Sequence, residues 1–263
     1  MLNSLLPGLR EIRTPLATGY LWLLNLWVLF GDRMPRQRPA AGPLAGLWDL
    51  AGYAGKGAVL AALTFTAYLV GSLVELNPQR LWAHGGRPEL LSRLRDLFRR
   101  GVLKRVRAVP FSAQAERDLV TYSTEDLGKV IDSRWAATKL IQSVMHEERQ
   151  LATRLQAQNA ELFGRYDRLL AESAFRLNIA PPLVLLLALL SWRSALPAGI
   201  QALLIILSLS YGAILVSQAV MRAVQSRDVI AQALVVGILE SKSLPRPVRS
   251  PDGAVGEPKP TVG

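Results

Sequence analysis

Four apolar runs decide what this chain can fold into. They are TPLATGYLWLLNLWVLF at 14–30, GAVLAALTFTAYLVGSLVEL at 57–76, LNIAPPLVLLLALLSW at 177–192 and AGIQALLIILSLSYGAILVSQAVM at 198–221. A helix that crosses a bilayer needs about 20 mostly apolar residues, with a range of roughly 17 to 25. The second and fourth runs meet this. The first and third are slightly short and borrow flanking residues, and Arg176 and Arg193 can snorkel at the ends of the third. Trp27 and Trp192 lie near run ends, where aromatic belts form, and Trp22 and Tyr68 lie further in. Stretches such as 183–190 have no polar face, which argues against buried helices of a soluble bundle. The first run is read as a retained span and not as a cleaved leader. Glu11 precedes it, and GDRMPRQRP follows it in place of a small-residue cleavage site.

The expected fold class is therefore an all-α membrane protein. It has four transmembrane helices and a long helical cytoplasmic insert between the second and third. The parts are an N-terminal segment with the first pair of spans (1–76), the insert (77–176), the second pair (177–221), a cytoplasmic helix (222–243) and a disordered tail (244–263). The tail is rich in Pro and Gly and has no apolar cluster.

Charge sets the orientation. The formal net charge is +11. An even number of spans puts the N-terminus, the insert and the C-terminal segment on one side, and 26 of the 31 Lys and Arg residues fall there. By the positive-inside rule that side is cytoplasmic, with the plasma membrane as the expected location. Arg33, Arg36 and Arg38 run against the trend in the outer 31–56 connection. Within that connection PLAGLWDLAGYAG is too short and too broken to span. It either lies at the interface or folds against the bundle.

The insert has two parts. RPELLSRLRDLFRRGVLKRVRAVP, at 87–110, places Leu90, Leu91, Leu94, Leu97 and Phe98 at helical spacing. Eight basic residues stand against Glu89 and Asp96 between positions 87 and 107. A basic amphipathic helix of this kind suits an anionic inner leaflet, with Arg93, Arg95, Arg99, Arg100, Lys104, Arg105 and Arg107 as lipid-binding residues. Nucleic acid is the weaker partner, because Phe98 alone does not give the aromatic interleaving that base stacking needs. The second part opens with Ser123 or Thr124 as N-cap. Its apolar residues then recur at spacings of three, four and seven as far as Leu170, and no proline intervenes before Pro181. One helix from about Glu125 to the third span would reach roughly 80 Å, and its apolar stripe calls for a coiled-coil or bundle partner. Polar gaps at Glu148 and at Gln158–Asn159 interrupt that seam. After the fourth run, Val229, Ile230, Leu234, Val235, Ile238 and Leu239 form another apolar face, expected to pack against the long helix.

Motifs that carry chemistry are scarce. There is no cysteine, which excludes disulfides, thiolate metal sites and cysteine nucleophiles. His84 and His146 stand alone and far apart. GYAGKGA, at 52–58, lacks the first glycine and the final Ser or Thr of a phosphate loop. No Asp, Glu, Lys, Arg or His sits at the centre of a run, where a proton relay would need one. Asn25, Gln201 and Gln218 are the polar candidates for helix packing or for a pore lining. Pro181 and Pro182 form a candidate hinge, since each removes a helical N–H.

The expected function is that of a non-enzymatic, oligomeric multi-pass protein acting through protein contacts of its cytoplasmic region, as a scaffold, sensor or regulator. No cofactor is expected. The expected partners are an anionic bilayer and a second copy or another protein. The alternative is an oligomeric ion channel. Two spans, a helical insert and two further spans, with both ends inside, resemble the layout of bestrophin-type anion channels in topology, without a matching motif.

Overall fold

Helix capping and backbone breaks set the segments of this chain. A computed structural model of the protein describes residues 2–35, 37–76, 111–126 and 134–244. Among these residues the regular structure is entirely helical. Helix α1 is Leu2–Phe30, followed by a 3-10 turn at Gly31–Arg33. Helix α2 is Pro43–Val74, with proline in its first turn and a break at Gly55. Helix α3 is Ala113–Thr121, continued by a π-helical stretch at Tyr122–Asp126. Helices α4, α5, α6 and α7 are Arg134–His146, Glu148–Gln158, Ala160–Arg193 and Ala198–Val235. Three helical stretches are long and apolar enough to cross a membrane: Ala45–Val74 in α2, and α6 and α7. The described residues are thus all-helical, with three helices that fit a membrane protein by length and composition. The basic helix expected at 87–110 and, apart from Leu244, the tail expected at 244–263 lie outside the described residues.

The chain divides into two compact units. The first takes its described residues from Met1–Val109 and Gly164–Ser226. Here α1 and α2 pack with almost no side chain between them. A methyl group on Gly19 would collide with the carbonyl of Ala67, and one on Gly71 with the carbonyl of Pro15. Small residues allow this close approach, which is how helices associate where apolar burial gives no drive. Between α6 and α7, Gly212 abuts the side chain of Val184, and Ser173 Oγ donates to the Ala219 carbonyl at 2.7 Å. The outward faces are apolar: Phe65 and Leu69 on α2, Leu187 and Leu190 on α6, and Ile206 and Leu209 on α7 are all exposed.

The second unit takes its described residues from Pro110–Phe163 and Arg227–Gly263. Its core holds Leu119, Val144, Leu151, Leu155, Ile230 and Leu234, each at most 2% exposed. The face predicted beyond the fourth run is largely buried here, with Val229, Ile230, Leu234 and Leu239 inside. Helix α7 ends in a Schellman turn. Gly237 adopts φ 81°, and the Ile238 N–H returns to the Ala233 carbonyl at 2.9 Å.

Two expectations are corrected. A single rod from Glu125 to the third span does not form. The chain turns at Glu147 between α4 and α5, and Asn159 leaves the helical region at φ −147°, ψ 94°. Asn159 Oδ1 then accepts the Leu162 N–H at 3.0 Å, so it starts α6 as an N-cap. The polar gaps in the stripe are thus where the helix stops and restarts. The N-cap role of Thr124 also fails. Its hydroxyl bonds backward to the carbonyls of Val120 and Thr121, and Ser123 is buried in the π-helical stretch. The residue that caps is Ser112, whose Oγ accepts the Ala115 N–H at 3.2 Å.

Candidate functional site: the buried polar seam of the helix bundle

Four polar or part-polar side chains share one face of α1. Thr14, Thr18, Trp22 and Asn25 recur at spacings of four, four and three, so they share a helix face. Thr18 and Asn25 are each 1% exposed. Asn25 Nδ2 donates to the carbonyl of Leu21 in its own helix and to the carbonyl of Pro182 in α6, both at 2.8 Å. Asn25 Oδ1, Thr18 Oγ1 and Trp22 Nε1 are buried without a hydrogen-bond partner among the described residues. Nearer its start α1 meets α6 again, where the Arg13 guanidinium stacks on Phe175 at 4.3 Å from the ring centre.

Pro181 and Pro182 sit within α6, which stays helical through both. Pro181 is exposed and Pro182 is buried. Their missing N–H groups would have bonded the carbonyls of Leu177 and Asn178. Polar contacts bracket the pair. On one side is Asn25, bound to the Pro182 carbonyl. On the other is Asn178, 2% exposed, whose amide pairs with the backbone of Leu76 in both senses. It accepts the Leu76 N–H at 2.5 Å and donates to the Leu76 carbonyl at 2.9 Å, and it also donates to the Ala174 carbonyl. Leu76 lies just past the end of α2, where the main chain has lost its helical partners. In sequence Asn178 stands out only as an amide one turn before the prolines. Its contact with residue 76 has no local signal.

The three polar candidates do not converge. Asn25 is inside the bundle. Gln201 is at the turn between α6 and α7, where its Nε2 donates to the Ser194 carbonyl at 2.8 Å and its own carbonyl accepts from Ser191 Oγ at 3.2 Å. Gln218 is exposed on α7. At the same end of the unit Arg193 reaches Asp32 at 2.5 Å and the Leu29 carbonyl at 3.1 Å. The proposed lipid-binding residues Arg93, Arg95, Arg99, Arg100, Lys104, Arg105 and Arg107 lie outside the described residues. An open groove on α1 and α2, lined by Ile12, Leu16, Leu60, Phe65 and Tyr68, is almost wholly apolar.

In the second unit the polar groups are charged. Glu147, at the α4–α5 turn, accepts from Ser241 Oγ, the Lys242 N–H, the Ser243 N–H and Ser243 Oγ at 2.5–3.0 Å. Burial works to raise the pKa of this carboxyl. The hydrogen bonds from Ser243, Ser241 and the two N–H groups outweigh it and hold the group below its ordinary range. Arg227 Nε meets Glu148 Oε2 at 3.3 Å with both side chains largely buried, at 8% and 14% exposure. Arg154 donates to the Glu240 carbonyl at 2.6 Å. None of these groups, each engaged with protein, is arranged as a nucleophile beside a base, and no cluster that could hold a metal occurs among the described residues.

Comparison with protein-family models, with curated proteins and with solved structures finds no match.

Proposed function

We propose that the protein is a non-enzymatic multi-pass membrane protein that acts through protein contacts of its second unit, as an oligomeric scaffold, sensor or regulator. The observation that carries this reading is how polar groups are used. In the bundle, Asn25, Ser173 and Asn178 serve helix-to-helix or helix-to-chain hydrogen bonds. The second unit has a core of its own, and its buried charges hold its own segments together.

In this reading α1 is the fourth span. Its mean hydropathy is lowered by Thr14, Thr18 and Asn25, but these face inward. Leu24, Leu26, Trp27, Leu29 and Phe30 point outward, so the surface offered to lipid is apolar. The second unit and both termini then lie on the cytoplasmic side of the plasma membrane, facing an anionic leaflet.

The test uses the natural lack of cysteine. Single cysteines at Tyr53 and Gln150 are probed on intact cells with an impermeant thiol reagent. Reaction at 53 and protection at 150 is the expected result, and the reverse pattern overturns the orientation. Mass measurement in detergent reads the oligomer, and a monomer refutes the oligomeric part.

A second reading, an oligomeric ion channel with a bestrophin-like order of spans, is favoured by one feature. Thr18 Oγ1, Trp22 Nε1 and Asn25 Oδ1 lie unpartnered among the described residues on one inward face of α1, as groups lining a hydrated path would. Ion flux in liposomes decides between the two. A conductance abolished by Asn25→Leu refutes the scaffold, and absence of flux refutes the channel.

A further inference from the structure

Helix α2 is longer than a bilayer and is broken at one residue. Gly55, at φ 77° and ψ 170°, separates residues 43–54 from residues 56–74. That conformation is open essentially to glycine alone. The 19 residues of 56–74 rise about 28 Å, close to the roughly 30 Å of the hydrocarbon core. Residues 43–54 add about 18 Å, which the core has no room for.

This first part has two unlike sides. At about 100° per residue, Leu47, Trp48, Leu50, Ala51 and Ala54 fall within an arc of about 160°. Leu47 and Leu50 are each 60% exposed, and Trp48 is 44% exposed. The opposite side carries Asp49, Gly52, the buried Ala45 and Tyr53, which is 94% exposed and bears a polar hydroxyl. There Asp49 is gripped by Arg38, with Nε to Oδ1 at 2.6 Å and Nη2 to Oδ2 at 2.7 Å. One side is therefore tied to the preceding connection, and the leucines and the tryptophan are left facing outward.

We infer that residues 43–54 form an interfacial helix that lies along the membrane surface, with Leu47, Trp48 and Leu50 in the upper acyl region and Asp49 with Arg38 in the headgroup layer. The partner is the lipid surface, and the inference rests on the reading that 56–74 crosses the bilayer. Lipid is favoured by continuity: the exposed apolar face runs on past Gly55 into Val59, Leu60 and Leu63 of the crossing part. A tryptophan among leucines, opposite a charged side, is the composition that settles at such an interface. Gly55 is the corner at which the chain turns from surface to core.

The experiment places nitroxide labels on Leu47→Cys, Leu50→Cys, Gly52→Cys, Tyr53→Cys and Phe65→Cys in the full chain. The variants are reconstituted in vesicles of phosphatidylcholine and phosphatidylglycerol. Collision with oxygen is compared with collision with a water-soluble nickel complex. Labels at 47 and 50 are expected to favour oxygen several-fold over those at 52 and 53, and the label at 65 to favour it most. If 47 and 50 match 52 and 53, the helix is in water and the inference fails. If 47 and 50 are shielded from both reagents, protein covers them and the lipid partner is wrong. If the nickel complex reaches 65, the crossing itself fails and takes this inference with it.

Discussion

Asn25 and Pro182, 157 positions apart, are joined by a hydrogen bond of 2.8 Å from the asparagine Nδ2 to the proline carbonyl. The bond ties α1 to α6 at the one place where α6 has lost helical N–H groups. The same nitrogen also serves the Leu21 carbonyl, so both protons of the amide are engaged. Each of these carbonyls can also accept from its own helix. Asn25 therefore adds an interhelical contact without being the sole support of either turn.

Asn25→Leu is accordingly expected to lower the stability of the bundle by only about 1 kcal/mol, the size of a typical interhelical bond between membrane helices. Asn25→Asp should cost more, roughly 3 kcal/mol, because it sets a charge against two carbonyl oxygens at a buried position. Denaturant titration of the protein in mixed detergent reads both values. Equal losses would refute the hydrogen bond as the source of the effect.

The α1–α2 crossing is predicted to be the least tolerant contact of this unit. Gly19→Ala and Gly71→Ala each drive a methyl group into a backbone carbonyl, of Ala67 and Pro15 respectively. Neither carbonyl can move without its helix, so a loss of about 1–3 kcal/mol is expected. Gly212→Ala meets only the side chain of Val184, which can change rotamer, and should cost less. Thermal unfolding of the three variants side by side tests the order.

These examples show what the sequence makes legible. Runs of apolar residues at 57–76, 177–192 and 198–221 have only one way to satisfy their backbone in hydrocarbon, so helices could be read directly. The inward use of Asn25 was visible as a type of role, but not its partner. Two neutral amides with the same composition, Gln201 and Gln218, went to a turn and to an exposed face. What separates them is the packing of other helices, which no local pattern encodes. The expected long rod failed for a similar reason. Helical spacing persists through Asn159, yet a single side-chain bond to the Leu162 N–H restarts the helix there. Thr124 and Ser112 are both plausible caps by type. Ser112 has its own N–H held by Asp228 Oδ1 at 2.9 Å, from a segment 116 residues later, and no local pattern announces that partner.

Glu147 gives a pH dependence with a definite sign. Its folded pKa lies below the ordinary value of 4.5, so its bonds to Ser241–Ser243 contribute their full stability above that value. The contribution is lost as the pH falls through the lowered folded value. Hydrogen exchange at the Lys242 and Ser243 amides reads this locally, since both donate to the carboxylate. Protection should hold from neutral pH down to about 4.5 and weaken below it. Glu147→Ala should remove that protection at every pH. Protection at both amides that survives the substitution would show that another group holds the segment.

The pair Arg227–Glu148 tests whether the buried charges of the second unit are there for stability. Both side chains are mostly withdrawn from water, and they meet through one contact of 3.3 Å. Removing either partner takes from the other, largely buried charge the contact that the pair supplies. Arg227→Met or Glu148→Leu alone should therefore cost about 3–5 kcal/mol. Replacing both removes the two buried charges together from a core that already holds Leu151, Leu155, Ile230 and Leu234. The double variant should accordingly recover most of the loss, and it can equal or exceed the parent, because desolvating two ions offsets their attraction. A double-mutant cycle by chemical denaturation supplies the coupling energy. Losses that simply add would mean that the two residues act through separate partners. A strong coupling with a stable double variant would mean that the cost of each single variant is that of the charge left behind, and that the pair itself adds little net stability.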